Sequence, residues 1–185
     1  MPLALAISRR IDSMNGRIGR AVGWLIFICV LVSATNAVVR KAFDVSSNAW
    51  LELQWYLFSA VFLLAAGYAL LGNDHVRIDI LANRLSRRAR AWIDIAGTVL
   101  FLLPLAFLVI RLSVPVVIDK LIHGETSANA GGLILWPVWL LMPIGFGLLA
   151  LQGLSELIKR LAFLRGDLDE PPPIPTPPLV PSRDA

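Results

Sequence analysis

Two histidines and the carboxylates near one of them are the residues of this chain best suited to redox or metal chemistry. His75 lies between the second and third apolar stretches of the sequence, and His123 lies between the third and fourth. A haem in a membrane bundle needs two axial ligands at compatible depth, whereas a complete apolar stretch separates these two imidazoles. His75 with Asp74 and Asp79 forms only a sparse carboxylate cluster. The sequence therefore predicts no cofactor, no metal site and no enzyme active site.

A second group of polar residues lies within the apolar stretches, where a charge is costly to bury. Glu52, Tyr56 and Ser59 share one helical face of the second stretch, and Asp94 and Thr98 share a face of the third. Both carboxylates lie near the ends of their stretches, whereas transporters bind ions and substrates near the midplane of the membrane. We therefore expect interhelical hydrogen bonds or partner contacts at these positions, with ion coupling as the alternative.

Four long apolar stretches must position these residues, and they dominate the composition. Of the 185 residues, 57% are hydrophobic and 16% are charged, and the mean hydropathy is +0.70. A soluble domain normally has about 25% charged residues. A helix of about 20 residues crosses the hydrocarbon layer of a bilayer. The sequence thus predicts an all-α membrane protein with four transmembrane helices, at about 21–39, 50–71, 91–118 and 133–151.

The segment between the second and third spans is strongly basic. With a period of 3.6 residues, its arginines fall on one face and its apolar residues on the other, although Ile80 does not fit the pattern. Such a pattern is typical of an amphipathic helix that lies in a membrane surface. We predict an interfacial helix at about 77–90; a short basic loop in water is the alternative.

The distribution of Lys and Arg predicts the orientation of the chain. Thirteen of the 17 Lys and Arg residues lie in the N-terminal segment, in the basic segment and after residue 151, and the other four lie in the remaining connections or near the outer end of the third span. The positive-inside rule therefore predicts that both termini are cytoplasmic.

Residues 1–20 are expected to be a cytoplasmic lead-in, with a cleaved signal peptide as the alternative. Residues 166–185 are rich in proline and are expected to form a disordered cytoplasmic tail. The basic residues are explained by membrane anchoring, so nucleic acid is not predicted as a partner.

Several short motifs resemble those of one transporter family. The run GNDHVRIDIL at 72–81 follows a span that opens with Glu52, and the second outer loop contains Glu125-Thr126-Ser127. The fourth span follows Gly131-Gly132-Leu133 and contains Trp136-Pro137 and Pro143-Ile144-Gly145. Together these features resemble the DctQ-type small membrane subunit of tripartite ATP-independent periplasmic (TRAP) transporters. The resemblance covers roughly residues 20–165.

The resemblance implies a set of partners and roles. A periplasmic substrate-binding protein would capture a small organic anion, and a large multispanning permease subunit would move it, coupled to a cation gradient. This chain would be a non-catalytic subunit of the bacterial inner membrane, in contact with membrane lipids, that braces the large subunit. Glu125 and Ser127 would lie at the outer docking surface, Glu52 would contact the large subunit or the outer loop, and the inner hinge would contain His75, Arg77 and Asp79.

Two other functions are also compatible with the sequence. One is a standalone membrane anchor or assembly protein whose proline-rich tail recruits a cytoplasmic partner. The other is an enzyme or redox subunit of a membrane complex.

Overall fold

Four long helices make up most of the computed structural model, which describes residues 2–44, 47–72 and 86–168. All four are long and apolar enough to cross a membrane, which confirms the predicted all-α, four-span fold class. A bilayer offers no water to backbone N–H and C=O groups, so a spanning segment must form its hydrogen bonds within a helix. The helices are α1 (Pro2–Phe43), α2 (Asn48–Gly72), α3 (Arg87–His123) and α4 (Trp136–Arg165).

Helix α1 has 42 residues and is about twice as long as a membrane span requires. The residues predicted as a lead-in are, from Pro2 onward, the N-terminal half of this helix and are continuous with the first apolar span. The next residue after the helix, Asp44, has a left-handed backbone with φ of 52°, a conformation that short polar residues tolerate.

Helix α3 begins at a side-chain cap and contains one irregular turn. The Ser86 hydroxyl accepts a hydrogen bond from the Ala89 N–H at 3.2 Å, as expected for an N-cap residue. Residues Thr98–Leu102 form a π-helical segment just before Pro104. Proline has no N–H and its ring clashes with the carbonyl four residues earlier, so a wider turn accommodates it. The helix ends at Gly124, where φ is +60°.

Helix α4 is the centre of the bundle. It packs against α1, α2 and α3, and α1 also packs against α2. In its most apolar 18-residue segment 22% of the residues are buried, against 6% in the corresponding segment of each of the other three helices. Two glycines allow close approach: a Cβ on Gly145 would lie 2.7 Å from the Leu63 carbonyl oxygen of α2, and a Cβ on Gly153 would lie 2.7 Å from Leu102 of α3.

The two ends of the bundle differ in composition. The terminal end contains Pro2 and Arg165, and the loop end contains residues 124–135, which connect α3 to α4 (the α3–α4 loop). Of the predicted interfacial helix, Arg87–Arg90 form the first turn of α3, and the remainder lies outside the described residues, as does the tail from residue 169. The interfacial helix, the tail and the cytoplasmic location of both termini stay predictions.

Candidate functional site

A single carboxylate connects α2 to the α3–α4 loop at the loop end. Glu52 lies in the second turn of α2 and points to the loop, where both of its oxygens accept hydrogen bonds. The Ser127 hydroxyl and the Asn129 amide donate to Oε1, the latter at 2.7 Å, and the Leu133 N–H donates to Oε2 at 2.7 Å. Hydrogen bonds to an ionised group are stronger than neutral ones. Glu52 therefore fixes the position of this loop relative to α2.

The loop also has internal hydrogen bonds. The Ser127 N–H donates to the Leu133 carbonyl at 2.9 Å, and the Leu135 N–H donates to the Glu125 carbonyl at 3.0 Å. The turn between them is tight, because a Cβ on Gly132 would lie 2.6 Å from the Ser127 Cβ. The backbone of the loop thus has a defined shape that requires glycine at position 132.

Two further residues on the same face of α2 contact the loop. Asn48 donates to the Ala130 carbonyl at 3.3 Å, and the Tyr56 hydroxyl donates to the Ile134 carbonyl at 3.0 Å. These two residues and Glu52 are spaced four apart, so one helical face of α2 presents all three. The first three turns of α2 therefore form a polar edge that holds the loop along its length.

An ion pair stabilises the base of the loop on the α3 side. Lys120 Nζ lies 2.6 Å from Glu125 Oε2 and 5.5 Å from the centre of the Trp139 ring. The hydrogen bond from Lys120, together with its positive charge, lowers the pKa of Glu125 below its ordinary value of 4.5. This arrangement joins the end of α3, the loop and the start of α4.

Comparison with known protein families shows which family the chain belongs to. The model of the DctQ component of tripartite ATP-independent periplasmic transporters matches residues 23–163, which is most of the sequence. The chain belongs to this family. It is therefore the small component of a TRAP transporter and a multi-pass inner-membrane protein. A comparison with curated proteins and one with solved structures returned no match.

The sequence-predicted residues of this DctQ chain fall into two groups. Glu52 and Ser127 are in direct contact, and Glu125 lies in the same loop. His75, Arg77 and Asp79 lie outside the described residues. The proposed roles of all six residues in partner contacts stay predictions. Asn48 and Asn129, which sequence reasoning did not select, complete the contacts between α2 and the loop.

A second polar cluster, at the terminal end of this DctQ chain, was not predicted. Asn15 and Gln152 are fully buried, and the Asn15 amide donates to Gln152 Oε1 at 2.8 Å. Gln152 donates in turn to Asp12 Oδ1 at 2.8 Å, and Ser155 donates to the same oxygen at 2.7 Å. The hydroxyls of Ser8 and Ser155 are 2.7 Å apart. These bonds join the N-terminal half of α1 to the C-terminal half of α4.

Charged groups extend this cluster to α3. Lys159 Nζ lies 3.2 Å from Asp12 Oδ2 and also pairs with Glu156. Arg160 Nε lies 3.3 Å from Asp94 Oδ2 on α3. The polar residues of α1 recur at spacings of four and three from Ser8 onward, a helical pattern that could have indicated a buried face. The matched family range begins after this part of α1.

Proposed function

We propose that this DctQ subunit is a non-catalytic scaffold that braces the large permease subunit and presents the α3–α4 loop to the periplasmic binding protein. The observation that supports this role best is the attachment of the loop to Glu52. A docking surface that is already ordered loses less conformational entropy on binding than a flexible one. The loop is ordered by three hydrogen bonds to one carboxylate.

The exposed part of the loop suits contact with a soluble partner. Thr126 and residues 128–131 are exposed, while Ser127 and Leu133 are partly buried against α2. The side chains of these five residues are small and uncharged, so a partner can approach the backbone closely there. The two carboxylates that shape the loop, Glu52 and Glu125, are both held by hydrogen bonds from within this chain.

The charge distribution supports a periplasmic location for this loop. Most Lys and Arg residues lie in segments that connect at the terminal end of the bundle, and few lie at the loop end. By the positive-inside rule the terminal end is cytoplasmic. The loop end then faces the compartment in which a periplasmic binding protein operates.

The register of the helices supports a tilted, bracing arrangement. Cys29, in the middle of the first apolar stretch, lies 3.9 Å from the carbonyl of Gln54, near the loop end of the second. Leu102, in the middle of the third stretch, packs against Gly153, just beyond the fourth. The apolar stretches of α1 and α3 are therefore shifted in opposite directions along the bundle.

A flat membrane can cover all four stretches only if the bundle is inclined. Each shift is about 10 Å along the helix axis, which is similar to the usual distance of 8–10 Å between packed helices. An inclination of roughly 45° follows, beyond the average tilt of about 20° for spanning helices. Helices that are long and inclined can extend across the flank of a larger membrane subunit.

In this arrangement the large subunit and the binding protein select and move the substrate, a small organic anion, with the energy of a cation gradient. The present chain would contribute structure and a docking surface. Within the described residues no group of three or more metal-binding side chains occurs that could hold a metal ion.

The proposal is tested by co-purification and uptake. We expect the tagged chain, extracted in mild detergent, to recover the large multispanning subunit in equal amount. Glu52→Gln removes the negative charge that orders the loop. This variant should still recover the large subunit, but it should require several-fold more binding protein for half-maximal uptake in proteoliposomes.

The matched control is Asp119→Asn. Asp119 is also a carboxylate at the loop end, but it is 59% exposed and pairs with His123 within α3. This variant should behave as wild type. Unchanged dependence on binding protein in Glu52→Gln would refute the docking role. Recovery of the tagged chain alone, or with a soluble protein that is lost when residues 167–185 are deleted, would instead favour a membrane anchor.

A further inference from the structure

Helix α3 leaves most of its surface without a partner in this chain. Among the described residues, one of its faces packs against α4, and it makes no comparable contact with α1 or α2. The opposite face is exposed and follows the helical period over most of the apolar stretch. We call this face the Arg111 stripe; it consists of Pro104, Phe107, Leu108, Arg111, Pro115 and Ile118.

Arg111 distinguishes this face from the exposed faces of the other helices. Of the described residues in the four apolar stretches, it is the one exposed side chain that is charged at neutral pH. The structure shows no hydrogen bond or ion pair between its guanidinium and another described residue. Its neighbours one turn earlier, Phe107 and Leu108, are 67% and 52% exposed. A guanidinium surrounded by apolar side chains at this depth is unfavourable in lipid.

The geometry of α3 makes it difficult for the Arg111 guanidinium to reach the water at the loop end. Asp119 is the next charged residue toward that end, about 12 Å further along the helix. An extended arginine side chain reaches roughly 7 Å. Helical side chains also incline toward the N-terminus of their helix, which for α3 is the terminal end. This tendency favours an inclination of the Arg111 side chain away from the loop end.

A backbone group at the same position also needs a partner. Pro115 lies inside α3 and has no N–H, so it cannot donate to the carbonyl of Arg111, four residues earlier. Within a bilayer, neighbouring helices commonly supply the missing donors. The exposed face thus carries a guanidinium and a carbonyl at one depth, one a donor and the other an acceptor.

We infer that the Arg111 stripe is the face of this chain that packs against the large permease subunit. The partner surface is an apolar spanning helix with a carboxylate that pairs with Arg111 and a hydroxyl or amide that donates to its carbonyl. The exposed faces of α1 and α2 suit lipid better, since their apolar stretches expose residues such as Phe27 and Phe62 and no ionised group. This inference rests on the proposed function, in which the two membrane subunits form one complex.

The test substitutes Arg111. Its replacement by an apolar residue should be favourable if the stripe faces lipid and unfavourable if the stripe faces a protein partner. Arg111→Leu makes the stripe fully apolar, which favours a lipid-facing helix but leaves a carboxylate of the partner buried and unpaired. We expect this variant to reach wild-type levels in the membrane and to bind the large subunit roughly 30-fold more weakly or worse. Arg111→Lys keeps the charge and should retain most of the binding.

The matched control is Arg40→Leu, which removes an exposed arginine at the end of α1, outside the apolar stretch. It should recover the large subunit as wild type does. A photo-crosslinker attached to Leu108→Cys, in a Cys29→Ser background, should form an adduct with the large subunit.

The outcomes separate this inference from the proposed function. If the wild-type chain recovers the large subunit and Arg111→Leu recovers it equally well, the stripe faces lipid and the inference is overturned. The absence of an adduct from position 108, in a complex that is otherwise intact, overturns it as well. If the wild-type chain recovers no large subunit, the proposed function fails, and this interface fails with it.

Discussion

Replacing Gln152 with leucine removes two interhelical hydrogen bonds from a fully buried position. In the wild-type chain its Nε2 donates to Asp12 Oδ1 and its Oε1 accepts from the Asn15 amide, each at 2.8 Å. Leucine is apolar and of similar size, so the change removes the polar contacts with little steric effect. The substitution therefore isolates the energy that holds the N-terminal half of α1 against α4.

The expected loss of stability follows from the two hydrogen bonds that are removed and from the contacts that Asp12 and Asn15 keep. A hydrogen bond to a charged carboxylate contributes about 1.5–3 kcal/mol and a neutral one about 1 kcal/mol, while interhelical bonds in membranes average about 0.6 kcal/mol. Asp12 keeps its bonds to Ser155 and Lys159, which limits the loss on that side. Asn15 keeps only a 3.4 Å contact to the Leu148 carbonyl. We expect a loss of about 2 kcal/mol in the free energy of unfolding.

The assay is reversible unfolding by SDS in mixed micelles, followed by tryptophan fluorescence. Wild type is compared with Gln152→Leu, Asn15→Leu and the double variant, and the two sites should couple by about 1 kcal/mol. Leu154→Ala, at a 42% exposed position on the same helix, is the control and should change stability by about 0.5 kcal/mol or less. Full stability of Gln152→Leu, or strictly additive single effects, would refute the reasoning.

Two further predictions concern the helix contacts and the loop. Gly145→Ala should lower the free energy of unfolding by about 1–3 kcal/mol, because its Cβ would lie 2.7 Å from the Leu63 carbonyl oxygen. The control is Gly147→Ala, whose Cβ would meet nothing within 4 Å and which should be nearly neutral. The same SDS titration measures both, and equal effects would contradict the close contact. Lys120 lowers the pKa of Glu125 below 4.5 in the folded chain. The contribution of this ion pair to the stability of the fold is therefore complete above pH 4.5 and is lost as the pH falls through the lowered pKa. Thermal midpoints of wild type and Glu125→Gln should therefore differ at neutral pH and converge once the pH falls below the lowered pKa of Glu125. A difference that persists in stronger acid would exclude this ion pair as its cause.

Local sequence patterns predicted the parts of the site that lie on one helix. Glu52 and Tyr56 share a face of α2, and both were expected to form interhelical hydrogen bonds or partner contacts. Their actual acceptor and donors lie in the α3–α4 loop, 75 or more residues later in the chain. A helical period shows which residues share a face, but it carries no information about which distant segment that face will meet.

The polar cluster of α1 shows the same limit more strongly. Residues 2–20 are mixed in composition and contain four arginines, which favoured a cytoplasmic lead-in. In the structure they continue α1, and Asn15 and Gln152 are buried together. Either residue alone would be an unfavourable buried amide. Only when α1 and α4 are placed side by side can the Asn15 amide donate to Gln152 Oε1.

The sequence by itself determined the four-helix membrane fold and the transporter family. Hydrophobic length decides which segments cross a bilayer, since each segment must satisfy its own backbone, and the family motifs are short and local. Tertiary structure alone decided that Glu52 holds the loop, that α4 is central and that Arg111 faces outward. These features depend on the register and rotation of one helix against another, which are set by glycine contacts such as Gly145 against Leu63 rather than by any local pattern.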